Sequence, residues 1–152
     1  MNMQPKLVWD ALTSKADLTL RKAQNAMDVA MVRKNEAESR LNKLDSLLAE
    51  YANRLNLILT RSHHSQDTGN YRQFITQLQA LRQRAEQELQ TFEQDYGNTR
   101  RVVIAADQEK LKLQRLADRA RAKLHDQRVT VETKEAEAQS MIQFNLNSRF
   151  NR

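Results

Sequence analysis

Glycine and proline are almost absent from this chain of 152 residues, which has two glycines and one proline. Turns depend on these two residue types, so a β-sandwich, a barrel or an enzyme with many loops is poorly supported. Aromatic residues make up only 5% of the chain, whereas charged residues make up 29%. This composition favours long helices that bury one narrow stripe over a thick globular core.

The chain has no cysteine, which excludes a disulfide framework, a thiolate metal site and a cysteine nucleophile. No apolar run approaches the roughly 18 residues that a membrane span requires, and the N-terminal segment lacks the features of a secretory signal. We therefore expect a cytoplasmic location. The net charge of +6 indicates an acidic partner, which is a protein, a nucleic acid or a membrane surface.

Apolar residues in the first half of the chain follow alternating steps of three and four, which is the a/d pattern of a coiled coil. We call these positions the first seam; eleven of its twelve residues are apolar, and Lys34 is the exception. The seam consists of Leu20, Ala23, Met27, Ala30, Lys34, Ala37, Leu41, Leu44, Leu48, Tyr51, Leu55 and Ile58. Because its residues become larger toward Ile58, we expect the packing to tighten there.

A polar segment, RSHHSQDTGN at 61–70, follows the first seam and predicts a loop. A second seam then begins at Tyr71, Phe74, Leu78 and Leu81 and shifts phase near Ala85, which predicts a stutter in the coiled coil. From there it continues through Leu89, Phe92, Tyr96, Thr99, Val103, Ala106, Lys110, Leu113, Ala117, Ala120, Leu124, Gln127, Val131, Lys134, Ala138 and Met141. Gly97 is the weakest point of this helix, and whether it bends the helix is left open.

Two long seams joined by a short loop predict an all-α fold of two long helices that form an extended antiparallel coiled-coil hairpin. We expect one domain over 1–152, with a helix at about 6–60, a loop at about 61–70, a helix at about 71–144 and a frayed tail. A loop centred near 65–66 places Ile58 opposite Phe74. The second helix is longer than the first, so its end beyond about Val129 has no partner in the first helix.

The charges separate along the predicted hairpin. Residues 1–34 carry a net charge of +3 and residues 100–128 carry +5, while residues 35–81 are neutral. Arg115, Arg119, Arg121 and Lys123 form a basic stretch that fits either a phosphate-contacting surface or a solvated helix face. No aromatic residue lies between these charges, which argues against binding of single-stranded nucleic acid.

Few residues suggest catalysis or metal binding. His63, His64 and Asp67 resemble a partial zinc site, but adjacent histidines point apart and a fourth ligand is missing, so a solvated loop is expected. The sequence has no nucleophile–base arrangement and no glycine-rich phosphate loop. Two paired helices also lack the enclosed pocket in which pKa values are tuned. We therefore expect no enzyme activity, no cofactor and no metal.

Two segments carry a resemblance to a known family. AESRLNKLDSLLAEYANRL at 37–55 and NYRQFITQLQALRQRAEQEL at 70–89, separated by a polar loop, resemble the flagellar export protein FliJ. The most specific part is the start of the second helix, formed by Asn70, Tyr71, Phe74 and Leu78, and Tyr51 also fits. The resemblance is sharp over about 37–90 and rests elsewhere on length and coiled-coil pattern.

The resemblance implies a non-enzymatic, cytoplasmic component of the flagellar type III export apparatus that is similar to the stalk of rotary ATPases. Such proteins bind and promote the hexameric export ATPase, reach the cytoplasmic domain of the export gate and handle export chaperones. Their only association with the membrane is through the gate. The positions that match the gate-facing surface of the family are Leu44, Tyr51, Phe74 and Leu78, whereas Leu47 and Leu81 stand where the family varies.

The cationic terminal region, including Arg115, Arg119, Arg121 and Lys123, is expected to bind the ATPase. One alternative is a stalk protein of an injectisome secretion system, which is structurally alike. Another is a generic helical scaffold that pairs with a further coiled coil, and a third is a basic coil that binds nucleic acid. The sequence leaves the oligomeric state open.

Overall fold

The computed structural model describes residues 5–61 and 65–151, and side chains at 8–61 and 68–151. Two helices account for almost all of these residues: α1, Pro5–Arg61, has 57 residues, and α2, Ser65–Phe150, has 86. The described residues include no strand. The predicted all-α fold of two long helices is confirmed.

Helix α2 is longer than predicted at both ends. Residues 65–70, which were expected in the loop, form the start of α2, because Ser65, Asp67 and Thr68 are residue types that favour a helix N-terminus. Residues 145–150, which were expected to fray, are helical, and the Asn151 amide donates to the Asn147 carbonyl at 3.2 Å. The segment 62–64 lies outside the described residues, and it includes His63 and His64 of the partial zinc site.

The contacts divide the chain into two compact units. Unit 1 contains residues up to Thr19 together with Asp107 and beyond, and unit 2 contains Leu20–Ala106. The helices run antiparallel within each unit. In unit 1, Asp10 pairs with Arg121 and Asp17 with Lys110. Whether the two units behave as one domain stays a prediction.

Unit 2 contains the whole first seam, and the seam prediction is confirmed in α1. Between residues 20 and 58, the twelve seam positions are the ones that are buried or half-buried, and every other position is exposed. The expectation that packing tightens toward Ile58 is wrong. The most buried position is Ala37, which is 1% exposed, whereas Leu55 and Ile58 are half-buried. Near the end of α1, the two helices cover only part of these larger side chains.

The predicted stutter near Ala85 is not found. Ile75 and Arg82 occupy the covered positions, whereas Phe74 and Leu81, which were assigned to the second seam, are exposed. The covered positions then follow an unbroken heptad pattern from Tyr71 to Ala120. The pairing of the helices also differs from the prediction by about four residues: in unit 2 Asp45 pairs with Arg82, because α2 begins at Ser65 and not at about 71.

Two of the three lysines in the seams have specific cross-helix partners. Within unit 2 the Lys34 ammonium lies 5.0 Å from the centre of the Tyr96 ring, a favourable cation–π arrangement. Within unit 1 Lys110 Nζ donates to Asp17 Oδ1 at 2.9 Å. Polar residues at seam positions select one register of a coiled coil, because any other register leaves their charge without a partner.

Helix α2 is continuous through Gly97, whose backbone torsion angle φ is not positive. A Cβ atom added at this position has no heavy atom within 4 Å. Gly97→Ala should therefore raise the free energy of unfolding by about 0.5–1 kcal/mol, because glycine is a poor helix former. Urea unfolding followed by circular dichroism at the helical signal measures this change. Destabilisation by alanine would contradict an unbent helix at this point.

Candidate partner-binding surfaces

Three aromatic side chains meet across the two helices of unit 2. The ring of Tyr51 on α1 lies 4.6 Å from the ring of Phe74 and 6.0 Å from that of Tyr71, with interplanar angles of 57° and 47°. Tilted rings at these distances pack favourably. Tyr51 and Tyr71 are half-buried, whereas Phe74 is 39% exposed, so the cluster also presents apolar surface outward.

A guanidinium group lies beside this cluster. The Arg54 guanidinium carbon is 5.3 Å from the centre of the Tyr51 ring, and Arg54 also donates to Glu50 at 2.6 Å. The ion pair with Glu50 holds one side of the guanidinium, and the ring holds its face. The aromatic cluster therefore has a positive group fixed at its edge.

Two exposed leucines extend the apolar surface along the same side of unit 2. Leu47 lies one heptad before Arg54 on α1, and Leu81 lies one heptad after Phe74 on α2. One heptad further on, Arg40 and Glu88 form a cross-helix ion pair at 3.3 Å, which shows that these heptad positions share one side. Leu47 is 39% exposed and Leu81 is 50% exposed.

We call this surface the aromatic face and define it by Leu47, Tyr51, Arg54, Phe74 and Leu81. It combines apolar side chains with one fixed positive charge, and the ion pair between Arg40 and Glu88 borders it. Aromatic residues and arginine together are typical of the energetically important part of a protein interface.

Of the four predicted gate-binding residues, one is exposed, two are half-buried and one is buried. Phe74 and Tyr51 are in contact and contribute to the aromatic face. Leu44 is half-buried, and Leu78 is only 4% exposed, so Leu78 supports the face from the core. Leu47 and Leu81 were set aside in the sequence analysis. Their exposure follows from the heptad register, which could have been found by counting back from Ala85 in regular steps.

The opposite edge of the same region is charged. Arg82 is hydrogen-bonded to Asp45 on α1 and to Glu86 within α2, the latter at 3.2 Å. The hydrogen bond and attraction from Asp45, with smaller contributions from Glu86, raise the pKa of Arg82. The guanidinium is a permanent cation, so Arg82 keeps its ion pairs with Asp45 and Glu86 at this seam position. The aromatic face lies along the other edge of the seam, away from Asp45.

Unit 1 carries the predicted basic residues on α2. Arg115, Arg119 and Lys123 are spaced by four residues, so they form one exposed stripe, about 12 Å long at the helical rise of 1.5 Å per residue. Among the described residues these three make no ion pair. Arg121 differs, because it pairs with Asp10 at 3.2 Å and approaches Asp118 at 4.0 Å. We call Arg115, Arg119 and Lys123 the basic stripe.

One known protein family matches nearly the whole chain. The family described as flagellar FliJ protein matches residues 10–148. The chain belongs to the FliJ family. The match includes the aromatic face, the basic stripe and most of α2, and membership in the FliJ family indicates a role in flagellar export.

Beyond this family, neither a curated protein nor a solved structure matches the chain. Within the described part of this FliJ-family chain, neither helix contains a stretch long and apolar enough to cross a membrane.

Leu78 is buried and Leu81 is exposed, so the two leucines should contribute differently to stability and to binding at the aromatic face. Leu78→Ala should lower the free energy of unfolding by about 2–3 kcal/mol, because it removes a buried leucine side chain. Leu81→Ala should cost well under about 1 kcal/mol, because half of that side chain is already in water. Chemical denaturation of the two variants provides the comparison. Equal losses would mean that Leu81 lies in the core.

Proposed function

We propose that this FliJ-family chain is a non-enzymatic stalk protein of the flagellar type III export apparatus. In this proposal it binds and promotes the hexameric export ATPase through unit 1 and binds the cytoplasmic domain of the export gate through the aromatic face of unit 2. It works in the cytoplasm, is peripheral to the membrane through the gate alone, and does not act on nucleic acid. The family match over residues 10–148 carries the proposal.

The aromatic face supports the gate-binding part. Phe74, Leu47 and Leu81 are exposed although they lie beside the core, so they remain available to a partner without unfolding of unit 2. Tyr51 packs between Phe74 and the Arg54 guanidinium, so its ring is already in contact with both groups before a partner binds. Preorganised aromatic side chains lose little conformational entropy on binding. Leu44 and Leu78, from the same family surface, are assigned to supporting the face.

The first prediction from this proposal concerns the gate. Phe74→Ala and Leu81→Ala should each weaken binding to the isolated cytoplasmic domain of the gate by about tenfold or more, since each removes a central apolar contact. Isothermal titration calorimetry measures the affinity, and circular dichroism checks that the helices are intact.

Leu57→Ala is the matched control. Leu57 is also an exposed leucine of unit 2, but it lies outside the heptad positions of the aromatic face. Its substitution should leave the affinity for the gate unchanged. If folded Phe74→Ala and Leu81→Ala variants bind as tightly as the unsubstituted chain, the aromatic face is not the gate-binding site.

The basic stripe supports the ATPase-binding part. Arg115, Arg119 and Lys123 make no ion pair among the described residues, so their charges remain available to an acidic surface. Arg121 is partly engaged by Asp10 and contributes less in this proposal. Attraction between exposed charges is screened by salt, with a Debye length of about 10 Å at 0.1 M.

The second prediction concerns the ATPase. The chain should raise the hydrolysis rate of the cognate export ATPase, and the triple variant Arg115→Glu/Arg119→Glu/Lys123→Glu should need about tenfold more protein for half-maximal stimulation. Moderate salt should weaken stimulation by the unsubstituted chain more than stimulation by the variant. Hydrolysis assays over a range of chain concentrations at two salt concentrations measure both effects.

The control reverses the same number of charges in unit 2, with Lys43→Glu/Arg72→Glu/Arg84→Glu, all at exposed positions. It should stimulate as the unsubstituted chain does. Equal loss in both triple variants would assign the effect to net charge alone. Absence of stimulation by the folded chain would favour a generic helical scaffold.

An injectisome stalk is the alternative within type III secretion, and membership in the flagellar FliJ family favours the flagellar system. Binding of export chaperones belongs to the same proposal.

A further inference from the structure

The last part of α2 leaves its seam uncovered. Every described residue from Arg121 to Asn151 is exposed, whereas Leu113, Ala117 and Ala120 on the preceding seam positions are buried or half-buried. The change occurs where Arg121 pairs with Asp10, close to the start of α1 at Pro5. We call residues 121–150 the α2 extension.

The seam nevertheless continues in phase along the α2 extension. Leu124, Val131 and Ala138 occupy the positions that continue the heptads of Ala117, with Gln127, Lys134 and Met141 at the alternate seam positions. Leu124, Val131 and Met141 are all exposed. A helix face with the same pattern as the packed interface of unit 1 is suited to another helix of similar pattern.

Beyond Arg121, the charges of the α2 extension lie outside the ion pairs of the described residues. No ion pair among the described residues involves 122–151. Residues 119–128 hold four basic residues and one acidic residue, whereas residues 132–137 hold three acidic residues and one basic residue. The two blocks lie next to each other along one helix. Two copies that run in opposite directions therefore place the basic block of each beside the acidic block of the other.

The heptad positions decide the direction of pairing. In an antiparallel pair, Arg128 of one copy lies beside Glu135 of the other, so the contact joins opposite charges. In a parallel pair, Lys123 would lie beside Arg128, which is repulsive. The midpoint between Arg128 and Glu135 is at about Val131, which would lie near the twofold axis.

We propose that the α2 extension binds a second copy of this chain as an antiparallel coiled coil centred near Val131. The interface is isologous, so each copy contributes both the basic and the acidic block. It buries Leu124 of one copy near Ala138 of the other. The seam contains Gln127 and Lys134, so the association is weak and reversible.

The test uses the full chain in sedimentation velocity experiments from about 1 to 100 μM, a range that resolves micromolar dissociation constants. The unsubstituted chain should change from monomer to dimer over this range. Val131→Asp should remain monomeric at every concentration, because it places a charge in the seam. A chain that is monomeric throughout would overturn the proposal.

Val129→Asp is the matched control. Val129 and Val131 are both exposed valines of the α2 extension, but Val129 lies on the opposite side of the helix from the seam. Val129→Asp should therefore dimerise like the unsubstituted chain. Equal behaviour of the two variants would show that the seam is not the interface.

Charge exchange tests the register. Arg128→Glu and Glu135→Arg should each weaken dimerisation by about tenfold, and the Arg128→Glu/Glu135→Arg double variant should restore it. Losses that add in the double variant would overturn this register. Both residues lie outside the basic stripe, so the result is independent of ATPase binding through Arg115, Arg119 and Lys123.

Crosslinking tests the direction of pairing. The chain has no cysteine, so crosslinks between thiols form only at the introduced cysteines. A mixture of the Leu124→Cys and Ala138→Cys chains should give mainly the mixed crosslinked dimer. Mainly unmixed crosslinks would indicate parallel pairing and overturn the proposal. A monomeric chain whose Val131→Asp variant loses ATPase stimulation would instead assign this seam to the ATPase.

Discussion

Two helices have one mutual interface, and this narrow seam determines the rest of the structure. The alanine methyl of Ala37 fits inside it completely, whereas Tyr51, Leu55 and Ile58 near the end of α1 are only partly covered. Large residues near the end of α1 therefore keep part of their surface in water. The same geometry that stabilises unit 2 leaves Tyr51 and Phe74 partly accessible, so packing and a binding surface are compatible at this position.

The register of the helices depends on a few polar contacts across the seam. Lys34 packs against the Tyr96 ring and Lys110 pairs with Asp17, and a shifted register would remove both contacts. Exposed ion pairs contribute little to stability on average. The polar contacts across the seam matter here because the register that they select brings Leu47 and Leu81 to one side of unit 2. Specificity of pairing and formation of the aromatic face are therefore linked.

The sequence predicted the first seam at every position because its apolar residues coincide with regular heptad spacing. It failed near the start of α2, where Phe74 and Leu81 are more conspicuously apolar than Ile75 and Arg82 and so suggested the wrong stripe. The loop was drawn too long because helix-capping residues also occur in loops. Exposure of individual side chains depends on the pairing of the two helices, and that pairing could not be fixed without the length of the turn. The basic stripe follows directly from the four-residue spacing.

The two units differ in what they leave exposed, and the difference follows from helix length. In unit 2 both helices are present along the whole seam, so only its edges remain available and they carry apolar and aromatic groups. In unit 1 α2 continues well past the pairing of Asp10 with Arg121, so an entire seam is exposed together with its flanking charges. An exposed edge suits a folded partner with a complementary pocket, whereas an exposed seam suits another helix. The unequal lengths of α1 and α2 thus give one simple fold two kinds of binding surface.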